Sequence, residues 1–186
     1  MTDTMTKTTL EMKNIELSKS PVDDLAQIIL RDAIEMARKK INPIYWGREI
    51  TSLIRDRIFF DYLRHGIARG VAEGLAANDK AVIGVFSYET SDNPYNESGD
   101  EYSPDLTVHL LVLVKKPTEG LKALIASLDR AITAQMVALS SPKYAQIEST
   151  LDISLITQDE VKRRSGLAAL LSSVHAPPMK VWPIAG

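Results

Sequence analysis

Cysteine is absent from this chain of 186 residues, which excludes disulfides, thiolate metal sites and thiol nucleophiles. A strong charge of either sign is missing as well, the formal net charge being -2. Proteins that neutralise many phosphates normally carry a visibly basic domain, so this balance argues against a dedicated nucleic-acid binder, though not against a local basic face. Long hydrophobic runs are also lacking. None approaches the roughly 20 apolar residues that a membrane-spanning helix requires. The start, Met1-Thr2-Asp3-Thr4, has neither the basic nor the apolar segment of a secretory signal. These absences lead to the expectation of a soluble, cytoplasmic protein with no membrane partner. The length suffices for one domain with a real core, or for a small domain with a helical appendage.

The richest stretch is residues 81–116. An apolar run, Ala81 to Phe86, and a second, Thr107 to Val114, are short, rich in Val, Ile and Leu, and bounded by turn formers. That pattern predicts buried central strands. Between them lie six carboxylates (Glu89, Asp92, Glu97, Asp100, Glu101, Asp105) and three tyrosines (Tyr88, Tyr95, Tyr102), and no Lys or Arg occurs from Ala81 to Val114. Two readings of this acidic connection stand side by side. One is a solvated turn-rich loop; the other is a cover or gate over a cationic ligand, a partner or a cleft.

Elsewhere the periodicity is mostly helical. Residues 1–20 read as a loose arm with a short strand at Leu10 to Leu17. Pro21 opens a helix, with Ser20 as N-cap and Asp23 and Asp24 in the first turn, where the helix dipole favours acids. Leu25, Ile28, Ile29, Ala33, Met36 and Ala37 share its apolar face, and Asn42-Pro43 stops it. A second helical region runs from about Tyr45 to Asn78, with Trp46 and Arg48 read as a packed hinge at the joint between the two helices. Gly66, Gly70 and Gly74 recur every fourth residue in it. Each costs about 1 kcal/mol of helix propensity relative to Ala, so the spacing predicts either close packing against a neighbour or a break near His65-Gly66, and the continuing apolar stripe favours packing. Arg55, Arg57, Arg64 and Arg69, interspersed with Asp56, Asp61 and Glu73, read as a mixed-charge solvated face in preference to a strip for RNA. A helix is expected from Thr118 to Leu139, a strand over Leu151 to Ile156, and a helix capped by Thr157-Gln158-Asp159-Glu160 and extending through Leu171. Met179 to Trp182 reads as a short edge strand. The order is that of a mixed α/β sheet flanked by helices.

This order, with these segments, resembles the minimal nucleotidyltransferase fold of the DNA polymerase β-like superfamily. Val82 to Ser87 looks like that family's first strand and Gly-Ser turn, Thr107 to Val112 like its Asp-x-Asp strand, and Leu151 to Ile156 like the strand of its third acid. The tail from Thr157 to Arg164, ending in Val181-Trp182, also looks like members of the family. The resemblance spans residues 61–183. It divides the chain into an arm (1–20), an N-terminal helical extension (21–60) and a nucleotidyltransferase-like α/β domain (61–186). It also implies a nucleotide ligand near Ser87 and Tyr88, and a Mg2+ or Mn2+ site among Asp105, Thr107, His109 and Asp152.

The motif departs from the family's pattern. Ser87-Tyr88 stands where the small Gly-Ser pair would be, and Thr107 and His109 stand at the Asp-x-Asp positions. Only Asp152 remains of the three acids, or Asp105 and Asp152 if the alignment moves by two residues. Two-metal transfer needs hard oxygen ligands around Mg2+, which a threonine hydroxyl and an imidazole supply poorly. The residues therefore favour a degenerate site used for binding or assembly. An active divergent enzyme would use Asp105 and Asp152 as catalytic ligands with loop carboxylates, transferring a nucleoside monophosphate. His109 with Asp105 and Asp152 also suits Zn2+ or Mn2+, against the plainer reading of His109 as a hydrogen-bonded core histidine and Asp152 as a turn cap. A further alternative is a structural subunit that forms a homo-oligomer, or binds a protein partner, through its N-terminal helices.

Overall fold

The computed structural model describes residues 20–89, 106–139 and 148–183. The expected arm, most of the acidic connection and Asp105 lie outside the described residues.

Helix α1 (Pro21–Arg38) begins where the sequence predicts. The Ser20 hydroxyl accepts from the Asp23 N–H, and the Asp23 carboxylate accepts from the Ser20 N–H, a reciprocal cap at the first turn. After a short 3-10 turn (Pro43–Tyr45) come α2 (Ile50–Leu53) and the long α3 (Arg57–Asn78). The predicted second helical region is thus divided, but at residues 54–56 and not at the glycines. The cause is Asp56, whose carboxylate accepts from the Phe59 N–H at 3.0 Å and so starts a new helix. Trp46 is half exposed at the joint, its indole N–H donating to the Ile41 carbonyl, and Arg48 lies over the Tyr45 ring.

Through the glycines α3 is unbroken because α1 packs against them. A Cβ on Gly66 would stand 2.8 Å from the Ala33 Cα, and one on Gly70 2.9 Å from the Ile29 Cγ2. Of the predicted apolar face of α1, Ile29, Ala33 and Ala37 are buried but Ile28 is exposed, and Ala26 and Leu30, which the prediction did not include, are buried as well.

Strands β1 (Val82–Ser87) and β2 (Val108–Val114) pair antiparallel, and α4 (Glu119–Leu139) carries the chain to β3 (Leu151–Thr157), parallel to β2. The predicted edge strand is β4 (Met179–Trp182), antiparallel to β1, giving the order β3-β2-β1-β4. The result is a four-stranded mixed sheet flanked by helices.

One face of the sheet, with Val85, Val108, Leu110, Val112 and Val114, joins α1, α3 and α4 in the main core, where Phe59, Phe60, Leu63 and Ile132 are fully buried. The opposite face carries Phe86, Leu111, Leu113 and Ile156 under Val161, Ala168, Leu170 and Leu171. The predicted final helix is shorter than expected. Helix α5 (Gln158–Arg163), capped reciprocally by Thr157 and Glu160, stops at Arg164, which takes a left-handed conformation (φ 52°). A 3-10 segment (Gly166–Ser172) follows, so Leu170 and Leu171 reach the sheet from a second element. No described helix is long and apolar enough to cross a membrane.

Candidate functional site

On the face opposite the long helices, register sets residues of three strands in transverse rows. Gly84, Leu113 and Ile156 form one row, and Phe86, Leu111 and Ser154 the next. These lie beneath the C-terminal segments. The third row is Tyr88, His109 and Asp152, at the end of the sheet where β1 finishes and β2 and β3 begin. A strand's side chains alternate between faces, so one polar residue per strand at this level suffices to build a continuous polar row.

The row is tied together. His109 Nδ1 lies 2.8 Å from Asp152 Oδ2. An ionised carboxylate only accepts, so the proton of that bond sits on Nδ1, and a neutral ring keeps Nε2 as an acceptor. The Tyr88 ring lies 5.3 Å from the His109 ring, tilted by 42°, within the usual range of aromatic pairs. The Tyr88 N–H also donates to the His109 carbonyl at 3.2 Å. Burial, then the charge of Asp152 and a hydrogen bond with it, push the Tyr88 phenol above its ordinary pKa.

Beside this row, Ser87, Tyr88, Glu89 and His109 join Arg64 and His65 of α3 around a cleft of about 160 Å3. Arg64 is the main cation there. Its Nε and Nη2 donate to the Thr107 carbonyl at 3.2 and 2.9 Å, and its Nη1 to Glu89 Oε2 at 3.0 Å. The Arg64 side chain is only 12% exposed, whereas that of Glu89 is 76% exposed. The two bonds to the carbonyl therefore anchor the arginine, and the solvated ion pair adds little. The expectation of a solvated charged face holds for Arg57 with Asp61 and for Arg69 with Glu73, each an i,i+4 pair on α3. Arg64 departs from it. His65 is held below the ordinary histidine pKa, first by burial and then by the Arg69 charge.

Ser87, Tyr88, Thr107, His109 and Asp152 thus gather at one end of the sheet, Thr107 through its backbone oxygen; Asp105 lies outside the described residues. Among the described residues, no group of three His, Cys, Asp or Glu is placed to hold a metal ion. The acid and imidazole proposed as ligands are bonded to each other. His109 so oriented could accept a proton or contribute to a polar binding surface.

One positioning residue carried no signal in the sequence. Asp129 of α4 accepts from the Thr150 and Leu151 N–H groups at 3.0 and 2.8 Å, and from the Ser149 hydroxyl at 3.0 Å. It fixes the start of β3 one residue before Asp152. A single acid on a helix face reads as solvated, and only the tertiary fold brings three donors to it.

No family model, no curated protein and no solved structure matches this chain.

Proposed function

We propose that the chain is a nucleotidyltransferase-like protein that binds a nucleotide at the Tyr88–His109–Asp152 row without transferring it. The observation that carries this reading is the 2.8 Å contact of His109 Nδ1 with Asp152 Oδ2. Where the family would set acids around two metals, here the surviving acid orients an imidazole. A metal at Asp152 would have to displace that bond and would find a nitrogen where a hard oxygen is needed. The mixed sheet, with β2 and β3 adjacent and parallel and His109 opposite Asp152, supports the resemblance. At about 160 Å3 the cleft takes one group of the ligand, less than the several hundred Å3 of a site that encloses a whole small molecule. The Tyr88 ring offers a face for a base, and the remainder lies across the open end of the sheet.

The test is thermal unfolding with each nucleoside triphosphate, in chelator and in Mg2+. Ligand at 100 times its dissociation constant adds about 2.7 kcal/mol, a shift of a few degrees for a chain of this size. The reading expects a shift that is equal with and without metal and is lost in Tyr88→Ala. A shift that requires metal, accompanied by release of pyrophosphate, would establish the enzyme instead. No shift would remove the nucleotide.

A second reading, assembly through the helical extension, draws on exposed apolar residues around the joint and the start of α3: Ile44 (76%), Ile58 (53%) and Trp46 (48%). Light scattering of the wild type and of Ile44→Ser/Ile58→Ser decides it: a dimer dispersed by the substitutions supports assembly, and a wild-type monomer excludes it.

A further inference from the structure

We propose that Arg64 is the phosphate-binding residue of the cleft and that Glu89 is its built-in competitor, displaced when the phosphate of a nucleotide enters. This inference rests on the nucleotide reading; it adds which end of the ligand enters the cleft and what that end must move.

The guanidinium is fixed before any ligand arrives. Its Nε and Nη2 both donate to the Thr107 carbonyl, at 3.2 and 2.9 Å, and it lies 5.9 Å from the ring of Phe60, which is fully buried. A planar fork held in this way keeps its remaining nitrogen, Nη1, in one place, so a ligand loses little affinity to ordering it. Nη1 donates to Glu89 Oε2 at 3.0 Å, and both residues line the cleft. The anchored partner is the arginine, at 12% exposure; the carboxylate, at 76%, is held by solvent as much as by the pair. A pair of that kind is weak. A phosphate monoester, with more charge and three acceptor oxygens, is the stronger partner for the same nitrogen.

The other charged groups in and beside the cleft are already engaged. Asp61 faces Arg57 at 3.8 Å, and Asp152 is bonded to His109. His65, held below the ordinary histidine pKa, is largely uncharged at neutral pH. Departure of Glu89 therefore leaves one positive charge at the cleft without an acid, and an anionic group is what restores the balance. Tyr88 lines the same cleft, so a nucleotide with its phosphate on Arg64 has the aromatic face for its base close by. Because Glu89 has to leave first, the apparent affinity is lowered according to the fraction of molecules in which it sits on Arg64.

The four nucleoside 5′-monophosphates and the matching nucleosides, titrated calorimetrically into the full chain, test it. At least one monophosphate is expected to bind about tenfold more tightly than its nucleoside, the usual value of a hydrogen bond to a charged group. Glu89→Ala, a change at a solvated position, should tighten the monophosphate by about twofold to fivefold, the strength of the pair it removes, and leave the nucleoside unchanged. Arg64→Met should bring the monophosphate down to the nucleoside with the circular dichroism spectrum of the wild type. The Glu89→Ala comparison stands by itself should loss of the Thr107 bonds unfold that variant. Equal affinity for monophosphate and nucleoside, or a monophosphate affinity that Glu89→Ala leaves unchanged, would overturn this proposal and leave the nucleotide reading in place. Binding of neither compound by the wild type or by Glu89→Ala would overturn both.

Discussion

His109 and Asp152 stand directly opposite each other on two parallel strands, 43 residues apart in sequence, with a nitrogen and an oxygen 2.8 Å apart. Everything at the open end of the sheet depends on that register. A shift of β3 by one residue would turn Asp152 to the helix-covered face and bring Leu151 or Ile153 beside the imidazole. The buried alternation of β3, with Leu151, Ile153 and Leu155 all packed in the main core, holds it in place.

Asp129 contributes to the same register, and its substitution reports how much. Asp129→Ala would leave the Leu151 N–H without its acceptor beside Thr150, which is fully buried. An unsatisfied buried donor costs about 1–3 kcal/mol, so chemical denaturation should show a loss of about 2 kcal/mol. Asp129→Asn, which keeps one acceptor oxygen, should lose less. Equal losses for the two would mean that the charge, not the geometry, holds the strand.

The three glycines of α3 separate packing from propensity. Ala in place of Gly gains about 1 kcal/mol of helix propensity. At Gly66 the new Cβ would meet the Met36 Cε at 2.7 Å and the Ala33 backbone at 2.8 Å, and overpacking of that kind costs about 1–3 kcal/mol. At Gly74 it meets only the tip of Leu25, at 3.2 Å. Gly66→Ala should therefore lower the unfolding temperature and Gly74→Ala should leave it unchanged or raise it. If both are stabilising, α1 and α3 are not in close contact at Gly66.

His65 gives the fold a dependence on pH. Its folded pKa lies below the ordinary 6.5, so in the window just beneath 6.5 the unfolded chain binds more protons than the folded one. Stability is therefore full above about pH 6.5 and declines as the pH falls through the folded value. Unfolding temperatures measured between pH 7.5 and 5.5 should fall toward acid, and His65→Gln should flatten that decline. An unchanged slope in the variant would assign the effect to another group.

Much of the architecture was legible in the chain itself. Short Val-, Ile- and Leu-rich runs bounded by turn formers specify the strands, and Ser20 and Thr157 announce their helices through side chains that reach three residues ahead. Two boundaries were not legible. Asp56 caps a new helix within a stripe whose periodicity continues past it, and Arg164 ends α5 by adopting a conformation that few residues other than glycine take. The site was legible as a set of residues and not as a set of bonds. Ser87, Tyr88, Thr107, His109 and Asp152 attract attention singly, but the pairing of His109 with Asp152 follows from parallel register, which local pattern does not encode. Arg64 shows the same limit. Among the three arginines of α3, only the tertiary fold selects the one that reaches the Thr107 carbonyl.

The central claim is that Asp152 serves His109 and not a catalytic metal. Electron paramagnetic resonance of Mn2+ titrated into the protein with saturating nucleotide tests it most directly, with His109→Asp as the comparison. The wild type should leave the free Mn2+ signal at the level of nucleotide alone, and His109→Asp, which sets two carboxylates side by side on β2 and β3, should gain a bound ion. Stoichiometric Mn2+ binding by the wild type that disappears in Asp152→Asn would contradict the account and make the chain a metal-dependent enzyme.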